Sequence, residues 1–123
     1  MWGMLEGIKV LTLVDCGASH NFVSVAIVKT LQIPVTNTKP YMVEVGDGRK
    51  IKCGGVCKGV KLLIQGLRIQ QDLFVFKMKG IYVVLGMEWL ASLGHIRANF
   101  RELTLKIPTT EEFVILKGKA AMT

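Results

Sequence analysis

Apolar residues come in short blocks punctuated by glycine along this chain, and within most blocks their spacing is that of strands. Residues 2–5 and 8–14 flank Glu6-Gly7 and read as a hairpin, its second arm apolar enough to be buried on both faces. That arm stops at Asp15, followed by Cys16-Gly17-Ala18. Beyond this turn Phe22, Val23, Ala26, Ile27 and Leu31 recur at helical spacing, which predicts a short helix capped by Asn21 and closed by Pro34. Residues 41–45 and 49–53 flank Gly46-Asp47-Gly48, an Asp-Gly hairpin signal with a polar tip. A second hairpin is predicted over 60–64 and 67–76 around Gly66, and a fully apolar strand over 81–85 follows Gly80. After Gly86, the residues Trp89, Leu90 and Leu93 share one face of a short helix stopped by Gly94. Three more strands are predicted over 96–100, 103–107 and 113–116, with Pro108 separating the last two. The pattern as a whole is that of a mainly β barrel or folded sheet with one or two short helices.

With 123 residues the chain has room for one core, so a single domain over 1–123 is expected. Half of the residues are hydrophobic and the mean hydropathy is +0.42, which leaves apolar surface to be covered by another subunit. No apolar run reaches the roughly 20 residues of a membrane span, and the N-terminus lacks the order of a signal peptide. A soluble cytoplasmic protein with no membrane partner is the expectation. Met1 running directly into a strand suggests a piece excised from a longer reading frame. Cys16, Cys53 and Cys57 make an odd count without zinc-ligand spacing, so reduced thiols and no metal are expected. Cys53 and Cys57 are read as small buried residues on one face of one strand. The net charge of +7 is spread along the chain without a basic block or interleaved aromatics, and predicts no specific nucleic-acid partner.

Of the three Asp, only Asp15 ends a continuous apolar strand and precedes residues small enough for another backbone to approach. It is therefore the first candidate for chemistry. Ser19 and His20 do not form a nucleophilic pair, because adjacent residues of one loop rarely face each other and triads come from distant segments. His95 reads as a turn residue, and Met87, Trp89 and Leu90 as core packing.

The run Leu11-Thr12-Leu13-Val14-Asp15-Cys16-Gly17-Ala18-Ser19-His20-Asn21-Phe22 resembles the catalytic motif of retropepsin-like aspartic proteases from plant gypsy-type LTR retrotransposons. There two hydrophobic residues usually precede Asp-Ser-Gly-Ala-Thr-His-Asn-Phe-Ile. The run Tyr82-Val83-Val84-Leu85-Gly86-Met87-Glu88-Trp89-Leu90 resembles the second signature of that family, an apolar strand, a glycine and a helix carrying Trp-Leu. The resemblance implies a closed β barrel forming half of a two-fold symmetric aspartic protease that processes a retrotransposon Gag-Pol polyprotein. It places Asp15 as catalytic residue, with Cys16, Gly17 and Ala18 in the active-site loop. Gly46, Asp47 and Gly48 fall in the flap, Ser19 and Val84 line the cleft, and Leu85 and Gly86 support it. The partners implied are a second copy of the chain and a polypeptide substrate, with no cofactor, in the cytoplasm or within retrotransposon particles.

Hydrolysis of a peptide by carboxyl groups needs one as base to activate water and one as acid to polarise the carbonyl, so one Asp per chain requires two chains. Two Asp15 carboxyls brought together cannot both ionise, share one proton and titrate as a pair, which predicts activity on the acid side of neutral. Cys16 departs from the family's Ser or Thr, whose hydroxyl bonds across the dimer axis. A thiol is a weak donor, so loosened pairing is expected, at about 1 kcal/mol per subunit. The alternative function is a weakened or inactive domain that serves in dimerisation or peptide binding.

Overall fold

The Glu6-Gly7 hairpin pairs β1 (Trp2–Leu5) with β2 (Ile8–Val14), from Trp2 opposite Leu11 to Leu5 opposite Ile8. Both turn residues have positive φ, 48° and 82°, the type I′ turn whose twist matches the strands it joins. The structure is a computed structural model that describes residues 1–15, 17–44, 48–77, 80, 82–94, 96–99, 101–102, 104–108 and 113–117. Next in order come β3 (Phe22–Ser24), α1 (Val25–Leu31), β4 (Tyr41–Glu44), β5 (Lys50–Cys53), β6 (Val56–Ile64) and β7 (Leu67–Phe76). They are followed by β8 (Tyr82–Leu85), α2 (Met87–Ser92), β9 (Arg97–Asn99), β10 (Thr104–Pro108) and β11 (Phe113–Lys117).

Six strands close into a barrel in the order β1-β2-β8-β3-β7-β6, and β1 returns to β6 through Gly3 opposite Ile64 and Met4 opposite Leu63. Closure pairs the strand edges that would otherwise lie open. The β4–β5 hairpin and the β9–β10–β11 sheet form separate hydrogen-bonded ladders that pack on the barrel. Within the barrel β2 runs parallel to β8, with Val14 opposite Leu85, so both strands end side by side. This pairing sets the residues after each strand, Asp15 and Gly86, next to each other.

The main core fills the barrel with Leu5, Val10, Val23, Ile64, Leu73, Val83 and Leu85, and Ile27 of α1 and Trp89 of α2 seal it. A second, smaller cluster joins the inner side chains of the β4–β5 hairpin, Tyr41, Val43, Ile51 and Cys53, to Phe22, Phe74, Phe76, Ala18 and Val84. The hairpin therefore rests on the wall of the barrel that carries the Asp15 loop.

Four sequence expectations are corrected. Phe22 and Val23 are not helical but form β3, antiparallel to β8 and parallel to β7. Their β-propensity and a gap in the barrel outweigh the helical spacing, which a short apolar run cannot establish alone. Helix α1 then starts after Ser24, so Asn21 is not its cap. Cys53 and Cys57 are buried as expected, but Gly54-Gly55 splits them between β5 and β6. Strand β6 also begins earlier than predicted, because an irregularity between Cys57 and Val60 breaks the alternation there; the Gly59 N–H donates to Asp72 Oδ1 at 2.8 Å. Ile81, His95, Phe100 and Leu103 lie outside the described residues.

Tyr41 ties the base of the β4–β5 hairpin to the barrel, its hydroxyl lying 2.6 Å from the Val75 carbonyl oxygen and 2.9 Å from that of Gly55. Burial, with Cys53 and Cys57 nearby, pushes its pKa from 10.0 up to about 12. Below pH 10 folded and unfolded chains both keep this proton; as pH rises from there to about 12 the unfolded chain releases it first, so stability falls through that window. Tyr41→Phe should cost about 1 kcal/mol at neutral pH and remove this part of the alkaline loss. Urea denaturation of both proteins at about pH 8 and about pH 11 checks it, parallel pH dependence being the contrary result.

Candidate active site

The main-chain N–H of Asp15 donates to the Leu85 carbonyl at 3.0 Å, continuing the β2–β8 ladder by one step before the chain turns away. The turn is local: Gly17 N–H donates to Asp15 Oδ1 at 2.8 Å and Ala18 N–H to the Asp15 carbonyl at 3.1 Å. The first of these bonds orients the carboxyl group, while the side chain stays exposed in the single chain.

What holds the loop comes from far along the sequence. The Ala18 carbonyl accepts from Met87 N–H at 2.7 Å. Asn21, fully buried, accepts from Gly86 N–H through Oδ1 at 3.0 Å and donates through Nδ2 to Gln71 Oε1 at 3.1 Å. Its own carbonyl accepts from Phe74 N–H at 2.8 Å. Gly86 fits because it lacks a side chain: a Cβ there would lie 2.5 Å from the Ala18 carbonyl oxygen and nearer still to that of His20. The first motif thus lies directly on the second.

Strand alternation sorts the residues of β8. Val83 and Leu85 point into the main core, whereas Val84 joins Ala18 and Phe22 in the cluster under the hairpin. Leu85 accordingly lies in the main core, its carbonyl taking the Asp15 N–H, and Val84 lies on the hairpin side. Ser19 is exposed at the loop surface and Gly48 at the described edge of the hairpin tip, with φ of 85°. Cys16, Gly46 and Asp47 lie outside the described residues. His20 does not approach a serine. Its Nδ1 lies 3.2 Å from Glu88 Oε2, and its ring packs 5.0 Å from that of Phe74, which also meets Tyr41 edge-on at 5.4 Å.

Among the described residues, Glu88 is engaged with His20 and Asp72 with Gly59. One exposed, oriented carboxylate per chain is therefore what the loop offers. Among the described residues no three His, Cys, Asp or Glu side chains are placed to hold a metal ion, and no helix is long and apolar enough to cross a membrane.

Sequence reading missed Gln71 as a support of the site and took Asn21 for a helix cap. No period marks Gln71, and Asn21 beside an apolar run looks like a helix cap. Replacing Asn21 by Ala strands a buried N–H and the Gln71 carbonyl, so Asn21→Ala should destabilise the protein by about 2 kcal/mol. Chemical denaturation measures this, and an unchanged midpoint would remove Asn21 from the scaffold.

The model of the family described as retroviral aspartyl protease matches residues 3–111. Among solved structures, the chain is similar to the retroviral protease-like domain of Ddi1 from Leishmania major, with a TM-score of 0.68 at 17% identity. The match covers 97% of this chain and 94% of that one, a likeness of fold. No curated protein shows significant similarity to the sequence.

Proposed function

This chain belongs to the retroviral aspartyl protease family, and from that premise we propose that it is an aspartic endopeptidase acting as a homodimer, with one Asp15 from each copy. The observation that carries the reading is the exposed Asp15 carboxylate, oriented by Gly17 N–H in a loop built onto the second family signature at Gly86. Residues 1–123 act as one domain, and no cofactor takes part.

Two such loops facing each other across a two-fold axis bring the Asp15 pair together. One carboxylate takes a proton from water as its oxygen attacks the scissile carbonyl carbon, while the protonated partner gives its hydrogen to the carbonyl oxygen. The carboxyl that took the water proton then passes it to the amide nitrogen, the C–N bond breaks and the amine leaves, while the partner carboxylate regains a proton from a hydroxyl of the collapsing intermediate. Like charges at close range keep one proton on the pair, so its two apparent pKa values belong to the dyad and the rate falls once both carboxyls are ionised. Gly17 leaves room for the two loops to pack, and Ala18 for the substrate backbone. The β4–β5 hairpin acts as the flap through Gly46, Asp47 and Gly48, and Ser19 and Val84 line the cleft beneath. The apolar cluster around Val84, Ile51 and Phe74 supports a preference for extended peptides with apolar residues beside the scissile bond.

The substrate we assign is the Gag-Pol polyprotein of a plant gypsy-type retrotransposon, processed in the cytoplasm or within its particles. Cys16, where the resembled motif carries a hydroxyl, favours a second reading, a weakened domain that dimerises or binds peptides by strand addition. Incubating concentrated protein with a Gag-like polypeptide between about pH 4 and 7, with and without pepstatin, decides between the two. Pepstatin-sensitive cleavage is expected; intact polypeptide across that range favours the binding reading.

A further inference from the structure

Three of the large hydrophobic side chains left exposed stand together on the outer wall of the barrel: Trp2 at 44%, Met4 at 41% and Leu63 at 43%. Met4 and Leu63 are direct partners across the β1–β6 pairing, and Trp2 lies two residues from Met4 on the same face of β1. Among the described residues the other exposed large hydrophobics lie elsewhere in the fold, Val35 between α1 and β4, Met42 on β4 and Met87 on α2. A mixed cavity of about 600 Å³ opens beside the trio, lined in part by Met4, Glu6, Lys61, Leu63, Arg68 and Gln70. That volume is within the range of pockets that take small ligands or a few side chains.

The charges around this apolar centre are mostly of one sign. Arg68 sits opposite Leu63 across β6–β7, Lys61 opposite Gln70, and Lys9 opposite Met4 across β1–β2. Lys9 also holds its ammonium 4.8 Å from the centre of the Trp2 ring. Three cations thus frame the trio, against one carboxylate, Glu6. β1 and β6 are both paired on each side within the closed barrel, so the wall offers side chains and not a free strand edge.

We infer that this wall is a docking surface for an acidic peptide segment carrying apolar side chains, which set into the cavity lined by Met4 and Leu63 while its carboxylates meet Lys9, Lys61 and Arg68. Charge complementarity selects the sign of the partner and the apolar trio selects a peptide over a purely ionic ligand. The surface is separate from the proposed cleft: Lys9 lies six residues before Asp15 on β2, about 20 Å along the strand.

The test uses the whole chain and a fluorescein-labelled peptide alternating Glu and Leu, with a Lys-Leu peptide as control. Trp89 is buried and Trp2 exposed, so Trp2 dominates any change in the solvent-sensitive part of the tryptophan emission. The Glu-Leu peptide should bind, shift that emission to the blue and weaken as salt rises. The Lys61→Glu, Arg68→Glu double variant should lose at least tenfold in affinity with an unchanged melting temperature, and Leu63→Ser should lose a comparable factor. Equal binding of the Lys-Leu peptide, or undiminished binding by the double variant, overturns the inference. So does an emission shift produced only by phosphatidylserine vesicles, by single-stranded RNA, or by self-association that Leu63→Ser abolishes. Asp15→Asn should leave the affinity unchanged, so failure of the proteolytic reading and failure of this one are distinguishable.

Discussion

Asp15→Asn should yield a folded protein that cleaves no peptide. The substitution changes one atom of an exposed side chain, and the amide oxygen can still accept from Gly17 N–H, so stability should stay within about 0.5 kcal/mol of the parent. On the proposed mechanism, what disappears is the group that takes the proton from water and, on the other copy, the group that gives one to the carbonyl oxygen. General acid–base catalysis contributes about 10² to 10⁴ in rate, and here both roles are lost together. Mixing provides a sharper measurement. If subunits exchange freely between parent and variant at equal concentration, only about a quarter of the dimers carry two Asp15 residues, so activity should fall below simple dilution. A linear loss would place the whole site within one chain, and retained cleavage by the pure variant would sink the aspartic mechanism.

Gly86→Ala should unfold a large fraction of the protein's stability margin. The new methyl group would meet two main-chain carbonyl oxygens, those of Ala18 and His20, which cannot rotate away as a side-chain end could. Both sit in the loop that carries Asp15, and the Ala18 carbonyl is already held by Met87 N–H. Relief therefore requires the loop to lift off β8, breaking the Gly86–Asn21 bond and displacing the Asp15 carboxylate. The expected loss is about 3 kcal/mol, the upper end of overpacking costs. Gly54→Ala is the matched control, with no heavy atom near its added carbon and no positive φ, and should change stability by less than about 0.5 kcal/mol. Urea denaturation curves of the two variants measure the contrast, and similar midpoints would mean that Gly86 is free to shift.

Much of the barrel is legible because its signals are local. The Glu6-Gly7 and Gln65-Gly66 turns both adopt the positive φ pair that suits hairpins, and the apolar arms beside them pair in the register the turns impose. The strand ending at Asp15 is legible for the same reason. The Phe22–Ser24 strand is not, because three residues between two distant strands carry too little periodicity to compete with the helix that follows them. Nor does the sequence place the start of β6, where the irregularity at Gly59 breaks the alternation that would mark it.

By itself, then, the sequence determined the order of turns and strands, the position of Asp15 at the end of an apolar arm and the two motifs that carry the family resemblance, all through patterns a few residues long. Tertiary structure alone decided how those motifs support each other. Asn21 reaches Gly86 across 65 residues and Gln71 across 50, and His20 meets Glu88 across 68. Val84 and Leu85 part to different clusters only once β8 lies between β2 and β3. The basic-rimmed apolar wall likewise appears only when barrel closure sets Met4 beside Leu63. Bonds and patches of this kind depend on which distant strands become neighbours, and that choice follows from burying the shared core and satisfying buried polar groups, not from the residues beside each position.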